Sequence, residues 1–365
     1  MANTLKFGNG NWATKAGSTL AYNDESGFNP LPFDFTRASS ATVVNKNGLI
    51  ETVASGIPRI DFQGNTKGAL LLEPARTNLI PYSEDFSEWS TIGTPTLDFN
   101  YGVSPDGTQN STRVQMVSGD RIYIANAAVT DAAFSVYLKG SGVVRLRNSS
   151  NTLSNEVTLT SEWVRYYNVG DFLSTTNVQI QYVSGSVDFE IFGAQLEAGS
   201  YATSLINTSG SAVTRQVDVC NQNPPSSVIG QTEGVLFMDV NLFARGQFSY
   251  FAIAPNLVSS SNYIGIGINQ SSFSFEVVIS GTAVVAYNFS NSSTGNFKIA
   301  FAYKQNDFVA YVNGVQVMTD TSGAVLSCSQ IGLNNFNQNQ PFLYKQAKLY
   351  NTRLSNAELA SLTTI

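Results

Sequence analysis

The chain has 365 residues, enough for two or three domains with buried cores, since average domains span about 100–200 residues. Charged residues make up 13% of it, about half of the ~25% usual in soluble domains, and its formal net charge is −6. Because it has no concentrated run of Lys or Arg and no apolar stretch near the ~20 residues that cross a bilayer, nucleic-acid binding and membrane insertion are disfavoured.

The sequence contains no histidine and two cysteines, Cys220 and Cys328. The lack of histidine excludes Ser-His-Asp and Cys-His nucleophile systems and the zinc sites that use histidine. Residues 1–20 lack the basic-then-apolar order of a signal peptide, so we expect synthesis in a cytoplasm. A Cys220–Cys328 disulfide is therefore possible but not favoured over two buried free thiols.

Residues 1–77 are the least regular region, with turn signals such as the Gly-Asn-Gly at 8–10. We do not expect an independent core here, and we predict an attachment and oligomerisation segment. Arg37, Arg59 and Arg76 have two interpretations. They pair with carboxylates of a partner or, as the favoured alternative, tie down their own loops.

Residues 78–206 contain alternating apolar and polar side chains, which is typical of half-buried antiparallel strands. The segments 134–139, 144–147 and 178–182 show this pattern. Since no segment of helical period separates them, a two-sheet β-sandwich is the favoured fold.

The polar positions of these strands form a candidate carbohydrate-binding face. Its members are Tyr137, Arg145, Arg147, Gln179 and Gln181. An aromatic ring can stack under a sugar ring, and planar guanidinium and amide groups can bind sugar hydroxyls through paired hydrogen bonds. For any one of these residues, a solvated face or a face buried against another subunit is the favoured alternative.

A connector follows these strands, because Gly, Ser, Thr, Ala and Asn dominate from 199 to 215. Residues 207–231 are therefore predicted to be a linker, and residues 232–365 a second sandwich. Asn313-Gly314 is a strong hairpin signal there, since a type I′ turn requires positive φ at both central residues.

The C-terminal residues predict a short helix. Ser355 can cap its N-terminus with Glu358 as the capping-box partner, and Leu354 can pack on Leu359 as a hydrophobic staple.

Several strings resemble parts of tailed-phage virion proteins. GAQLEAGSYATSLINTSGSAVTRQVD at 193–218 resembles the closing strand and exit linker of a carbohydrate-binding-module-like jelly roll, and SEWVRYYNV at 161–169 resembles its Trp-containing strand. FDFTRASSATVVNKNGLIE at 33–51 and LLLEPARTNLIPYSEDFSEW at 70–89 resemble the segment that precedes that jelly roll.

The second half resembles the concanavalin A-like, laminin-G-like lectin family. The resemblance lies in DFVAYVNGVQV at 307–317 and in the string from 331 to 362. It completes the expected fold: an all-β chain with two antiparallel β-sandwiches of jelly-roll type in tandem, behind an irregular N-terminal segment.

Many relatives of the lectin-like family place calcium at the rim of the sandwich, on carboxylates. The loop from 334 to 340 contains no Asp, so we predict no metal and no other cofactor. Candidate sugar-binding residues in this loop are Asn334, Asn335, Asn337 and Gln338. A polar loop that satisfies its own hydrogen bonds is the favoured alternative.

The favoured function is a homo-oligomeric tail or head fibre of a phage virion, assembled in the host cytoplasm. It would bind host-surface glycans without catalysis and other virion proteins through residues 1–77. The alternative is a purely architectural capsid or tail decoration protein that uses lectin-like folds for protein contacts. A polysaccharide-depolymerising tailspike is less favoured, because a glycosidase needs two suitably spaced carboxylates, and the acids at 24–25 and 84–85 lie in predicted loops.

Overall fold

The computed structural model describes residues 4–10, 13–14, 19–24, 27–125, 128–148, 154–172, 177–222, 228–336 and 338–365. These residues are almost entirely β, which confirms the predicted all-β fold of antiparallel sheets. The strands of the first half are β1 (Thr4–Gly8), β2 (Ala13–Thr14), β3 (Thr19–Asp24), β4 (Gly27–Thr36), β5 (Ala41–Val44), β6 (Ile50–Val53), β7 (Arg59–Asp61), β8 (Ala69–Leu72), β9 (Arg76–Asn78), β10 (Ser90–Ile92), β11 (Thr96–Asp98), β12 (Thr112–Met116), β13 (Arg121–Ala125), β14 (Ala132–Asn148), β15 (Ser154–Thr158), β16 (Val164–Gly170) and β17 (Asn177–Ala198). Those of the second half are β18 (Val213–Arg215), β19 (Val219–Gln222), β20 (Glu233–Leu242), β21 (Ser249–Ala254), β22 (Tyr263–Ile268), β23 (Ser272–Ile279), β24 (Thr282–Ser290), β25 (Gly295–Lys304), β26 (Phe308–Val312), β27 (Val315–Asp320), β28 (Gln330–Asn335) and β29 (Phe342–Tyr350).

Two compact units make up the chain, and neither is continuous in sequence. Unit 1 comprises 1–40, 53–74 and 217–365, and unit 2 comprises 41–52 and 75–216. This division differs from the predicted boundaries at 77, 206 and 231. Strand β8, from the predicted attachment segment, pairs with β29, and β19, from the predicted linker, pairs with β28. Local composition did not reveal these strands because their partners lie far away in sequence.

Unit 1 contains two large sheets around one apolar core. The first has the order β27-β26-β25-β20-β29-β8-β7, with β1 also on β29, and the second has the order β2-β3-β4-β19-β28-β21-β22-β23-β24. Side chains of both sheets meet in the core, among them the fully buried Leu70, Leu236, Phe251, Phe301 and Leu333. Burial of apolar side chains on this scale is the main stabilising contribution to such a sandwich.

The local predictions for the C-terminal region are confirmed. Asn313 and Gly314 have φ values of 50° and 81°, and they join the paired strands β26 and β27. Ser355 is the N-cap of helix α1 (Asn356–Thr363) and forms both hydrogen bonds of the capping box with Glu358. Within the described residues, no helix is long and apolar enough to cross a membrane.

Cys220 and Cys328 are both buried and both free, as favoured from the sequence. Burial raises the pKa of each thiol, to about 12 for Cys328. Both sulfurs are therefore uncharged thiols in the apolar core of unit 1 at neutral pH.

Four buried charges, which we call the buried ion cluster, join distant segments of unit 1. Arg37 Nη1 lies 3.1 Å from Asp218 Oδ1, Arg59 Nη1 lies 2.8 Å from Glu73 Oε2, and Arg59 Nη2 also pairs with Asp218. All four side chains are at most 1% exposed. Burial opposes the charge of Arg59, but the carboxylates of Asp218 and Glu73 raise its pKa above the ordinary value. Arg37 and Arg59 thus bind carboxylates of their own chain.

Unit 2 is a sandwich built around two long strands, β14 and β17, which pair along their lengths. Both strands bend where glycines adopt positive φ, at Gly140 and Gly142 in β14 and at Gly185 in β17. A side chain at Gly140 would overlap the backbone of Asp188, so this bend requires glycine. Strands β10 to β17 belong to one continuous hydrogen-bonded sheet, and we call the parts on either side of these glycines its first and second layers.

The two layers enclose one core. In the first layer, residues 177–182 of β17 lie between β13 and residues 143–148 of β14, which also pair with β15. In the second, residues 187–198 of β17 pair with β12 and with residues 132–141 of β14, and β16 pairs with the outer edge of β14. The core includes the predicted inward residues Phe134, Val136, Leu138, Val144, Leu146, Val178 and Ile180.

Candidate binding face

The outer side of the first layer of unit 2 carries a cluster of polar residues, which we call the arginine face. Its members are Arg121 and Tyr123 of β13, Gln179 and Gln181 of β17, Arg145 and Arg147 of β14, and Glu156 of β15. They lie outside because their neighbours in sequence, such as Ile122 and Leu146, are buried in the core. Arg147 and Gln179 are themselves buried within the face, whereas Arg121, Tyr123, Arg145 and Gln181 are half-buried.

The strand register aligns these residues in two adjacent rows. Arg121 lies opposite Gln181, which lies opposite Arg145, which lies opposite Glu156. The second row contains Tyr123, Gln179 and Arg147. Directly opposed residues on one face have Cβ atoms about 4.5–5.5 Å apart. Arginines that are distant in sequence are therefore close neighbours here.

Glutamine side chains hold two of the guanidinium groups in place. Arg147 Nη1 donates to Gln181 Oε1 at 2.7 Å, and Arg121 Nη1 donates to Gln179 Oε1 at 3.4 Å. Gln179 Nε2 in turn donates to Asn177 Oδ1 at 2.7 Å. Because the amides accept these bonds, the planar groups of the face have defined orientations before any ligand arrives.

Positive charge on this face exceeds negative charge. Arg145 pairs with Glu156, which is the one carboxylate among the members of the face. Burial, and then the positive charges of Arg121 and Arg145, lower the pKa of Arg147 from its ordinary value. Among the described residues, the Nε atoms of Arg121 and Arg145 have no hydrogen-bond partner, although both atoms are buried.

The outer side of the second layer, which we call the balanced face, neutralises its charges. Arg113 donates from Nε and Nη2 to the two carboxylate oxygens of Asp188 at 2.8 and 2.6 Å. Lys139 Nζ lies 2.8 Å from Glu190 Oε1. The hydrogen bond from Arg113 is the main reason that the pKa of Asp188 lies below its ordinary value. Arg113 and Lys139 thus have carboxylate partners across the strands, whereas Arg165 of β16 on the same side donates to Thr203 O and Ser135 Oγ.

Tyr137 does not join the arginine face, contrary to the sequence-based prediction. It lies opposite Phe192, 6.2 Å away between ring centroids, and the guanidinium of Arg165 covers its ring at 5.3 Å. Tyr137 packs with a small apolar cluster that includes Ile50 and Leu205. The bend of β14 puts this half of the strand in the second layer, where other segments of unit 2 cover its outer side.

The predicted rim of unit 1 is also largely internal. Asn334 and Asn335 are buried, and their Nδ2 atoms donate to the backbone oxygens of Asp218 at 2.7 Å and Leu257 at 3.1 Å. Gln338 is half-buried, and Asn337 lies outside the described residues. These contacts tie the two asparagines to backbone groups outside the loop, and among the described residues the buried Oδ1 of Asn334 has no hydrogen-bond partner.

Three residues of the arginine face were missed from the sequence: Arg121, Tyr123 and Glu156. The signal for the first two is present in RIYIA at 121–125, where Ile122 and Ile124 alternate with them. A period of two assigns residues to a side of a strand, but it does not identify the neighbouring strands. The register of β13, β14, β15 and β17 is what shows that the members of the arginine face lie side by side.

No protein-family model matches the chain, and no curated protein matches it. Among solved structures, a receptor binding domain is 8% identical over 89% of this chain and 50% of its own, with a TM-score of 0.24. A tandem CBM22 domain from Paenibacillus barcinonensis is 9% identical over 75% and 98%, with a TM-score of 0.26. A tail fibre protein of an E. coli phage is 11% identical over 75% and 41%, with a TM-score of 0.24.

The chain thus spans half the length of that receptor-binding structure and less than half of the tail fibre chain. At these TM-scores, none of the similarities indicates a function for this chain.

Proposed function

We propose that the chain is a non-catalytic adhesin of a phage virion, which binds host-surface glycans through the arginine face. The observation that supports this proposal is the alignment of guanidinium, amide and phenol groups on one side of a β-sheet, where Arg121, Tyr123, Arg145 and Gln181 are partly exposed. Guanidinium and amide groups are planar and can each form two parallel hydrogen bonds to adjacent oxygens, as in neighbouring sugar hydroxyls. The ring of Tyr123 offers an apolar surface beside them.

A face of this kind would bind each glycan weakly. A flexible sugar loses conformational freedom on a flat sheet, and every hydrogen bond replaces one with water. Repeated copies on a particle would then supply the avidity. The proposal therefore includes a homo-oligomer that docks onto other virion proteins through residues 1–77.

A glycan array probed with the full-length protein tests this function. Tyr123→Ala should weaken glycan binding about threefold to tenfold, since an aromatic contact contributes about 0.5–1.5 kcal/mol. The matched control is Tyr167→Ala, which removes an exposed tyrosine from the other layer. Equal binding by both variants and the unmodified protein would contradict a role for the face. Absence of all glycan binding would favour the architectural alternative.

The carboxyl groups of Glu84 and Asp106 allow the depolymerase alternative to be tested. Burial, and then the charge of Asp106, raise the pKa of Glu84 to about 7. Burial also acts on Asp106, but hydrogen bonds from Thr108, Ser104 and Asn110 lower its pKa overall. Two carboxyl groups with divergent pKa values are typical of glycosidase acid and base pairs. Against this role, Asp106 binds groups of its own turn.

The array glycans should therefore also be assayed for new reducing ends. A non-catalytic adhesin produces none. If new reducing ends appear with the unmodified protein but not with the Glu84→Gln variant, the protein is a tailspike enzyme and not a non-catalytic adhesin.

A further inference from the structure

We infer that the arginine face selects acidic polysaccharides, whose repeating carboxylate or sulfate groups bind between its guanidinium groups. This inference rests on the proposed glycan-binding function and specifies the class of glycan. It goes beyond hydrogen bonding to sugars, because a neutral glycan would leave the positive charge of the face without a counterion.

The charges of the arginine face are not balanced. Three arginines share the face with one carboxylate, Glu156, which is itself half exposed to solvent and already paired with Arg145. Three segments next to these strands, at 126–127, 149–153 and 173–176, lie outside the described residues, and their sequence contains no ionisable side chain. They add no further carboxylate.

The balanced face of the same sandwich has a different arrangement of charges. There Arg113 and Lys139 each have a carboxylate partner within 3 Å on the neighbouring strand. The arginine face has glutamines, Gln179 and Gln181, at the equivalent central positions of β17. A glutamine orients a guanidinium group without neutralising it, so the charge remains available to a ligand.

The spacing of the arginines also matches a ligand with repeating charges. Arg121 and Arg145 lie on either side of Gln181 in one row, two strand spacings apart, which is about 10 Å. This spacing is comparable with one disaccharide repeat of a linear polysaccharide. Both arginines are half-buried, and a planar guanidinium group can bind a carboxylate or sulfate through two parallel N–H groups.

Nucleic acid fits these observations less well. Proteins that bind it present an extended basic surface, whereas this chain is acidic overall and the patch holds three cations. A short acidic repeat matches a patch of this size.

The test measures binding of the full-length protein to polygalacturonate, dextran sulfate, neutral dextran and double-stranded DNA at low salt. The variant is the double substitution Arg121→Gln with Arg145→Gln. The control, Arg113→Gln with Lys139→Gln, removes the same two charges from the balanced face. Thermal unfolding of both variants checks that they are folded at the assay temperature.

We expect binding to polygalacturonate, dextran sulfate or both, with no comparable binding to neutral dextran. The arginine-face variant should bind about tenfold more weakly or worse, since a hydrogen bond to a charged group contributes about 1.5–3 kcal/mol, and the control should bind normally. The affinity of the arginine-face variant should also fall less steeply as salt is added, because this variant forms fewer charge contacts with the polysaccharide.

The outcomes distinguish a failure of this inference from a failure of the proposed glycan-binding function. Equal binding of neutral and acidic glycans, or an unchanged arginine-face variant, would overturn the acidic preference and leave glycan binding intact. DNA binding as tight as polysaccharide binding would show a general polyanion site and overturn the selection of glycans. If the protein binds no glycan on the array or here, the proposed function fails as well.

Discussion

The buried ion cluster of unit 1 and the arginine face of unit 2 use arginine in opposite ways. In the cluster, Arg37 and Arg59 are fully buried and share two carboxylates, Asp218 and Glu73. On the arginine face, Arg145 pairs with the one carboxylate, Glu156, while glutamines hold the half-buried Arg121 and the buried Arg147.

This difference separates structural arginines from candidate binding arginines. A buried guanidinium without a carboxylate is very costly, so its partner is part of the fold. A guanidinium near the surface can remain without full neutralisation because water screens it, and its attraction for an external anion is then retained. The degree of neutralisation, rather than the presence of arginine, indicates the role.

The largest expected effect comes from removing a carboxylate of the buried ion cluster. Asp218→Asn leaves two buried guanidinium groups with Glu73 as the remaining carboxylate of the cluster. We expect a loss of about 3–5 kcal/mol in the free energy of unfolding, measured by calorimetry or urea titration. The control is Asp98→Asn, an exposed aspartate 4.0 Å from Arg113, which should change little. Equal effects of the two substitutions would refute the distinction.

A pH titration gives the next effect, because the pKa of Glu84 in unit 2 differs from its ordinary value. The folded-state pKa of Glu84 is raised from 4.5 to about 7. The folded state therefore binds more protons than the unfolded state between these values, and stability falls as pH rises through that window.

After allowance for partial exposure of Glu84, this loss should be about 1–2 kcal/mol between pH 4.5 and 7. Glu84→Gln should remove it, and the difference between the two titration curves isolates the contribution. Parallel curves would show that Glu84 has an ordinary pKa.

The balanced face should show a smaller effect. Asp188→Asn removes the two-point contact with Arg113 and should cost about 0.5–1 kcal/mol, because both side chains are partly exposed. A double-mutant cycle with Arg113→Gln should return a coupling free energy of that size. A coupling free energy near zero would mean that the contact between Asp188 and Arg113 does not stabilise the balanced face.

The smallest expected effect on stability is that of the arginine face itself. Arg121→Gln should change the free energy of unfolding by no more than about 0.5 kcal/mol, since it also relieves repulsion with Arg147. Added salt should stabilise the unmodified protein more than the variant, because salt screens that repulsion. A loss of several kcal/mol would reassign Arg121 to a structural role.

The sequence by itself determined the local features of this protein. The alternation around Val144 and Leu146 predicted which side chains enter the core, and Asn313-Gly314 predicted a hairpin that forms as expected. The same alternation placed Arg145 and Gln181 outside, where they are now found side by side. These features depend on the steric preferences of a few neighbouring residues, which the sequence states directly.

Only the tertiary structure decided what covers each face and which distant segments meet. Tyr137 has the same outward parity as Arg145, yet the bend at Gly140 and Gly142 puts it under other segments of unit 2. Leu70 and Asp218 lie in segments for which no core was predicted. Leu70 lies on a strand that pairs with β29, and Asp218 pairs with Arg59, so both are buried by partners that are distant in sequence. A period of two fixes the side of a strand on which a residue lies, but strand partners and burial depend on long-range packing, which a local pattern does not encode.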